Sequence, residues 1–271
     1  MPLLAVAVLA ALSGIAEALA VSPSGHAAVA RLWIEPAGAR AEAVIALGTA
    51  IGLIVAGWPR LRAALGEGVR AVARPAVFGG SVGAHDARTL LIASGASLAV
   101  GLGTVPRAAA WAGSPTAAGL GLCVTGLALG STWLAPRLGF GEAPRSSPGP
   151  SLAGAALVGL AHGLAVFPGA SRVGAALTVL LWIGVRPSRA VDLALLLTAP
   201  SLLVTFARGA AGGLGAGTVA LALIITFVTT VLASEGLGAL VVRRRQGALA
   251  LWTIPLGLAL LAYARALPHA P

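Results

Sequence analysis

Two short stretches of this chain carry groups that can do chemistry. Glu17, Ser22, Ser24 and His26 crowd together near the N-terminal end, and Ser171 and Arg172 follow a Pro168-Gly169 break much later. A carboxylate can activate water or hold a divalent cation, an imidazole can give or take a proton, and an arginine fork can neutralise and orient a phosphate. Serines beside Pro and Gly interrupt helices and cap new ones, and the free N–H groups at a helix N-terminus are themselves an anion site. Together these groups suit a phosphate or diphosphate. Glu17, His26 and Arg172 are the catalytic candidates, Ser22, Ser24, Ser171 and Arg172 the phosphate ligands, and Glu17 the candidate metal ligand.

The surroundings of these groups are apolar. The 271 residues are 58% hydrophobic and 10% charged, with a mean hydropathy of +0.96, which excludes an ordinary soluble domain and indicates a polytopic membrane protein. An arginine at mid-bilayer costs roughly 2.5 to 3.5 kcal/mol on insertion scales, so Arg172 requires a partner or an anionic ligand. The net charge of +10 comes from arginine alone, spread between apolar runs, and reads as a topology signal facing anionic lipid headgroups. No clustered basic face with aromatic support exists, so nucleic acid is not an expected partner. A single cysteine, Cys123, precludes an internal disulfide and a cysteine metal cluster.

The elements that must position the two stretches follow from hydropathy. The expected architecture is all-α, with six full transmembrane helices over 41–57, 89–105, 117–135, 190–207, 216–233 and 248–265. Two further apolar regions, 2–34 and 152–185, are broken by Pro, Gly and Ser and read as re-entrant helix pairs. The N-terminal run has no basic residue before it and is read as retained rather than as a signal peptide. Arginines in the 58–88 and 136–150 loops, the 186–189 turn and the Arg243–Arg245 cluster assign one face to the cytoplasm. Arg31, Arg40, Arg107, Arg208 and Arg265 then lie outside, as do both termini. The chain divides into halves at 1–135 and 151–271, joined by a cytoplasmic linker over 136–150.

An internal repeat supports this division. At an offset of 145, Gly14, Ala16, Leu19, Ala20, Val21 and Pro23 match Gly159, Ala161, Leu164, Ala165, Val166 and Pro168. The positive-inside assignment gives the halves opposite orientations. Inverted repeats whose broken helices meet near the midplane commonly build a site there.

At these residues the sequence resembles the BacA-type undecaprenyl-diphosphate phosphatases. Glu17 to His26, reading EALAVSPSGH, is similar to that family's E-F-L-P-V-S-S-[ST]-G-H, and Pro168 to Gly174, reading PGASRVG, to its P-G-x-S-R-S-G. A weaker match at Gly103-Thr104-Val105-Pro106 extends the likeness. The resemblance implies a bacterial inner-membrane enzyme of cell-wall lipid-carrier recycling. It would hydrolyse a polyprenyl diphosphate to the monophosphate in a pocket open to the outside, assisted by a divalent cation (Mg²⁺ or Ca²⁺) and without an organic cofactor. Its site residues carry over as Glu17, Ser22, Ser24, His26, Ser171 and Arg172. The partners implied are the lipid and the bilayer, with a homodimer as the oligomer to test.

Several family positions differ here. A second acidic residue one turn before the glutamate is Ser13, the second serine of the pair is Pro23, and the serine after the arginine is Val173. A glutamine in the second repeat is His162, and a Tyr-Arg pair in the last span is Trp252-Thr253. Proline cannot act as a nucleophile, so water activated by Glu17 becomes the attacker. The same departures keep two other readings open: a lipid-phosphate transporter or flippase, and a catalytically silent relative.

Overall fold

Where apolar runs are interrupted by Pro, Gly and Ser, the chain breaks its helices, and where they are not it forms long ones. The computed structural model describes residues 3–35, 38–74, 81–134, 149–209 and 213–266. These fold as helices α1 (Leu3–Ala18), α2 (Pro23–Ala30), α3 (Ala39–Ala56), α4 (Trp58–Ala73), α5 (Val82–Ala110) and α6 (Pro115–Ser131). The second part supplies α7 (Leu152–Leu164), α8 (Arg172–Trp182), α9 (Pro187–Arg208), α10 (Ala216–Val242) and α11 (Ala250–Ala266), the last led in by a 3-10 turn at Gln246–Leu249.

Both expected breaks are present, and each restarts its helix in the same way. After α1 the backbone goes left-handed at Ala20 (φ 64°) and Ser22 (φ 74°). Ser22 then caps α2, its Oγ accepting from the Gly25 N–H at 3.1 Å, with Pro23 in the first turn where a missing N–H is harmless. After α7 the left-handed residue is Gly169 (φ 79°), and Ser171 Oγ caps α8 by accepting from the Gly174 N–H at 3.0 Å. A side chain on Gly169 would collide with the Ala118 carbonyl of α6, so glycine is required there on two counts.

α3, α5, α9, α10 and the segment Gln246–Ala266 are long and apolar enough to cross a membrane, which makes this a multi-pass membrane protein. The sixth expected span, 117–135, is realised as α6, a helix of 17 residues. Of residues 58–88, expected as a loop, Trp58–Ala73 form α4 and the stretch from Val82 forms the first turns of α5, while 75–80 lie outside the described residues. Leu61, Leu65, Val69 and Val72 recur at steps of three or four, while Arg60, Arg62, Glu67 and Arg70 take the remaining positions. Averaged hydropathy conceals such a helix because its charged face cancels its apolar one. Of the 136–150 linker, residues 136–148 lie outside the described residues.

Small residues set the packing. α1 packs on α10, α7 on α5, α3 on α9 and α6 on α11. In the last pair Gly119 and Gly257 face each other so closely that a Cβ on Gly257 would lie 2.7 Å from the Gly119 carbonyl. That close approach is the usual way apolar helices associate where no water drives them together. Around α8 and α9, Leu177, Leu180, Leu193 and Leu195 form the centre of the core. Ala30, at the end of α2, clusters with Val6 and Leu9 near the start of α1, and Gly154, early in α7, touches Ile183 just past α8.

Candidate functional site

Arg172 opens α8 directly after the Ser171 cap, which aims it back across the break towards α1. Its Nη2 donates to Glu17 Oε2 at 3.0 Å and its Nη1 to Ser201 Oγ of α9 at 2.8 Å. Ser201 Oγ in turn donates a hydrogen bond to the Thr198 carbonyl at 2.7 Å. The Glu17 side chain is 2% exposed, and its Oε1 has no hydrogen-bond partner among the described residues. A buried carboxylate oxygen left unpaired is costly, so it marks a place where a proton, a water or a ligand is to be received.

The two breaks are stitched to each other. Ser24 Oγ accepts from the Gly169 N–H at 3.0 Å and lies 3.3 Å from Ser22 Oγ. Thr125 of α6 donates to the Gly169 carbonyl at 3.1 Å and accepts from the Ser171 N–H at 3.0 Å. Residues about half a chain apart are thus held in one frame.

Glu17 and Arg172 lie at the closed end of a cleft of about 450 Å³, a size usual for small-ligand sites. Ser13, Ser24 and Pro168 join them in lining it, and Arg31, Glu42, Thr205 and Arg208 line its exposed rim. Among the described residues Arg31 makes long contacts, 3.7 Å to Glu42 and 3.5 Å to the Ala112 carbonyl. Ser22 and Ser171 do not line the cleft and act as caps behind it. His26 does not line it either. The Trp252 indole donates to His26 Nε2 at 2.9 Å, so Nδ1 carries the proton and donates to the Ser22 carbonyl at 2.8 Å.

Several residues of this region escaped sequence reasoning. Ser201, Thr125 and Thr198 are hydroxyls inside apolar helices and carry no motif, and Arg31 and Arg208 had been read only as topology markers. His162, buried in α7, bonds Ser97 at 2.7 Å and Thr198 at 3.3 Å and so braces the segment of α9 that holds Ser201. A second ion-pair cluster, also unforeseen, joins α4, α5 and α9. Asp86 accepts from Arg60 Nη1 at 2.8 Å and from Arg189 Nε at 2.7 Å, and Arg60 Nε donates to Asp192 at 2.7 Å.

Among the described residues no three His, Cys, Asp or Glu side chains gather into a ready metal cage. At the closed end of the cleft the available carboxylate is Glu17. One carboxylate plus phosphate oxygens is a common way for Mg²⁺ to be held, so the donor set fits a cation carried on the ligand rather than one resident in the protein.

Residues 6–259 match the family described as bacitracin resistance protein BacA, a family of undecaprenyl-diphosphate phosphatases, and the chain therefore belongs to it. No curated protein matches the chain.

Proposed function

We propose that this BacA-family member hydrolyses a polyprenyl diphosphate to the monophosphate in the cleft that ends on Glu17 and Arg172. The observation that carries the reading is the buried Arg172–Glu17 pair with one carboxylate oxygen unpaired. Arg172 is fixed by Ser201 and Glu17 on two arms, so its fork is already oriented when the terminal phosphate arrives. Glu17 Oε1 accepts a proton from water, the water oxygen bonds to the terminal phosphorus, and the anhydride P–O bond breaks to release the lipid monophosphate. Arg31 and Arg208 at the rim offset the charge of that leaving phosphate. Ser24 offers a hydroxyl to the phosphate oxygens, while Ser22, Ser171 and His26 hold the breaks in position. Glu17 would also be the residue to hold a Mg²⁺ or Ca²⁺ ion, which would supply further charge neutralisation at the head group.

The re-entrant pairs and inverted halves, 1–135 and 151–271, belong to this reading. Supporting them are the return of Ala30 to the level of Val6 and of Ile183 to Gly154, and the exchanged packing in which α1 sits on α10 while α7 sits on α5. The cleft opens beside Arg31 and Arg208, on the face assigned to the outside together with both termini. Labelling of a cysteine placed at residue 62 from the outside would overturn that orientation. The same architecture supports lipid-phosphate translocation as the second reading. Purified protein with Mg²⁺ should release phosphate from undecaprenyl diphosphate, and Glu17→Gln should abolish release. Movement of labelled lipid phosphate across liposomes without hydrolysis would instead establish the transporter.

A further inference from the structure

One face of α5 runs past the head-group cleft. Ala87, Leu91, Ser94, Leu98, Gly101 and Val105 follow one another at steps of three or four and so form a single stripe along the helix. Its Val105 end lines the cleft of Glu17 and Arg172, and its Ala87 to Ser94 end lines a second cavity of about 420 Å³. α9 serves both cavities with neighbouring residues, Leu202 on the first and Leu203 on the second. Between the cavities the stripe is open: Leu98 is 60% exposed, and a Cβ on Gly101 would meet nothing.

The second cavity is walled by the apolar face of α4, including Leu61, Leu65 and Val69, and Ser94 is the one polar side chain among the described residues lining it. Beyond it, Arg60, Asp86 and Asp192 tie α4, α5 and α9 together. From Ala87 to Ala109 the seam runs roughly 33 Å at a rise of about 1.5 Å per residue. That is close to the thickness of a hydrocarbon core, about 30 Å.

We propose that this apolar cavity holds the isoprenoid chain of the same lipid whose diphosphate sits against Arg172. The inference rests on the head-group reading. What identifies the occupant is continuity: one stripe of α5 joins a polar, arginine-lined pocket to an aliphatic one, which is the division of a phosphorylated lipid into head and chain. A bilayer phospholipid would find the aliphatic part but, as a phosphodiester, has no terminal phosphate for Arg172, so it is the competitor that the test must separate.

Ala199→Trp fills the cavity from its wall, and Leu203→Trp does so from a half-exposed position that tolerates size more easily. Both variants should raise KM for undecaprenyl diphosphate about tenfold or more with kcat near wild type, and leave hydrolysis of farnesyl diphosphate unchanged. Equal losses on both substrates, or no loss on either, would overturn the proposal. A readout without turnover keeps it separate from the phosphatase reading: an undecaprenyl phosphate carrying a diazirine on its distal isoprenes should label Val69 or Leu203 in the wild-type protein. Unlabelled undecaprenyl phosphate should compete for those adducts and phosphatidylglycerol should not. Adducts elsewhere, or adducts removed equally by phosphatidylglycerol, would sink the chain assignment. Absence of phosphate release with correct labelling would refute the phosphatase alone.

Discussion

Arg172–Glu17 and the Asp86 cluster use the same chemistry for different ends. In the Asp86 cluster both carboxylate oxygens are taken, Oδ2 by Arg60 and Oδ1 by Arg189, and Arg60 goes on to Asp192. Burial works against the Arg60 guanidinium's charge, but its hydrogen bonds to Asp192 and Asp86 outweigh that and hold its pKa above the ordinary arginine value. At Glu17 one oxygen is paired and the other, among the described residues, is not, and the pair faces a cleft. A saturated buried ion pair has nothing left to give a ligand and holds helices together. An unsaturated one at the end of a cavity has a bond to offer.

The contrast can be broken by experiment, beginning with the largest effect. Arg172→Ala should lower phosphate release by about a hundredfold or more, as loss of a charge-stabilising donor usually does. Arg172→Lys should recover little of it, because an ammonium cannot reach Glu17 and Ser201 together in a planar fork. If either variant kept its rate and lost only thermal stability in detergent, the two clusters would be alike. Asp86→Ala should do the reverse. It removes the carboxylate from the buried Arg189 and leaves the half-buried Arg60 with Asp192, and should destabilise the fold by about 3 to 5 kcal/mol, with the rate per folded molecule within about threefold of wild type. Thermal aggregation and phosphate release on the same preparation would check both halves of that statement.

Smaller effects sharpen the comparison. Ser24→Ala removes both a cleft hydroxyl and the acceptor of the Gly169 N–H, and should reduce the rate about tenfold while costing about 1 kcal/mol of stability. Trp252→Phe removes only the donor to His26 Nε2 and leaves the Nδ1 bond to Ser22 intact, so the rate should change by less than about threefold. A large loss there would bring His26 back into the proton chemistry.

The legible part of this molecule is the part written in local sums. Runs of apolar residues announce α3, α9 and α10, and Pro, Ser and Gly between apolar stretches announce both breaks, because a backbone without water must either continue its helix or be capped. Glu17 and Arg172 stand out as charges in apolar neighbourhoods, which only a partner or ligand makes tolerable. α4 was hidden because its two faces cancel in any average, and α6, started by Ser114 and Pro115 slightly ahead of the expected span, ends early at Ser131, where Thr132 Oγ1 turns back to the Leu129 carbonyl and accepts from Gln246 Nε2 far along the chain. Asp86 falls within 58–88, the stretch expected as a loop, and carries no motif. Its burial becomes visible when Arg60 and Arg189 arrive from other helices.

Class, breaks and the type of chemistry are therefore read from residues near one another in the chain, since hydropathy and capping act over a few turns. Which oxygen of Glu17 remains free, that Ser24 reaches Gly169, that His26 turns to Trp252, and that one stripe of α5 joins two cavities are properties of helix packing. The bond between Arg172 and Glu17 spans 155 residues, and no local rule carries over such a distance, because its energy exists once the helices between have placed both groups in the same dry pocket.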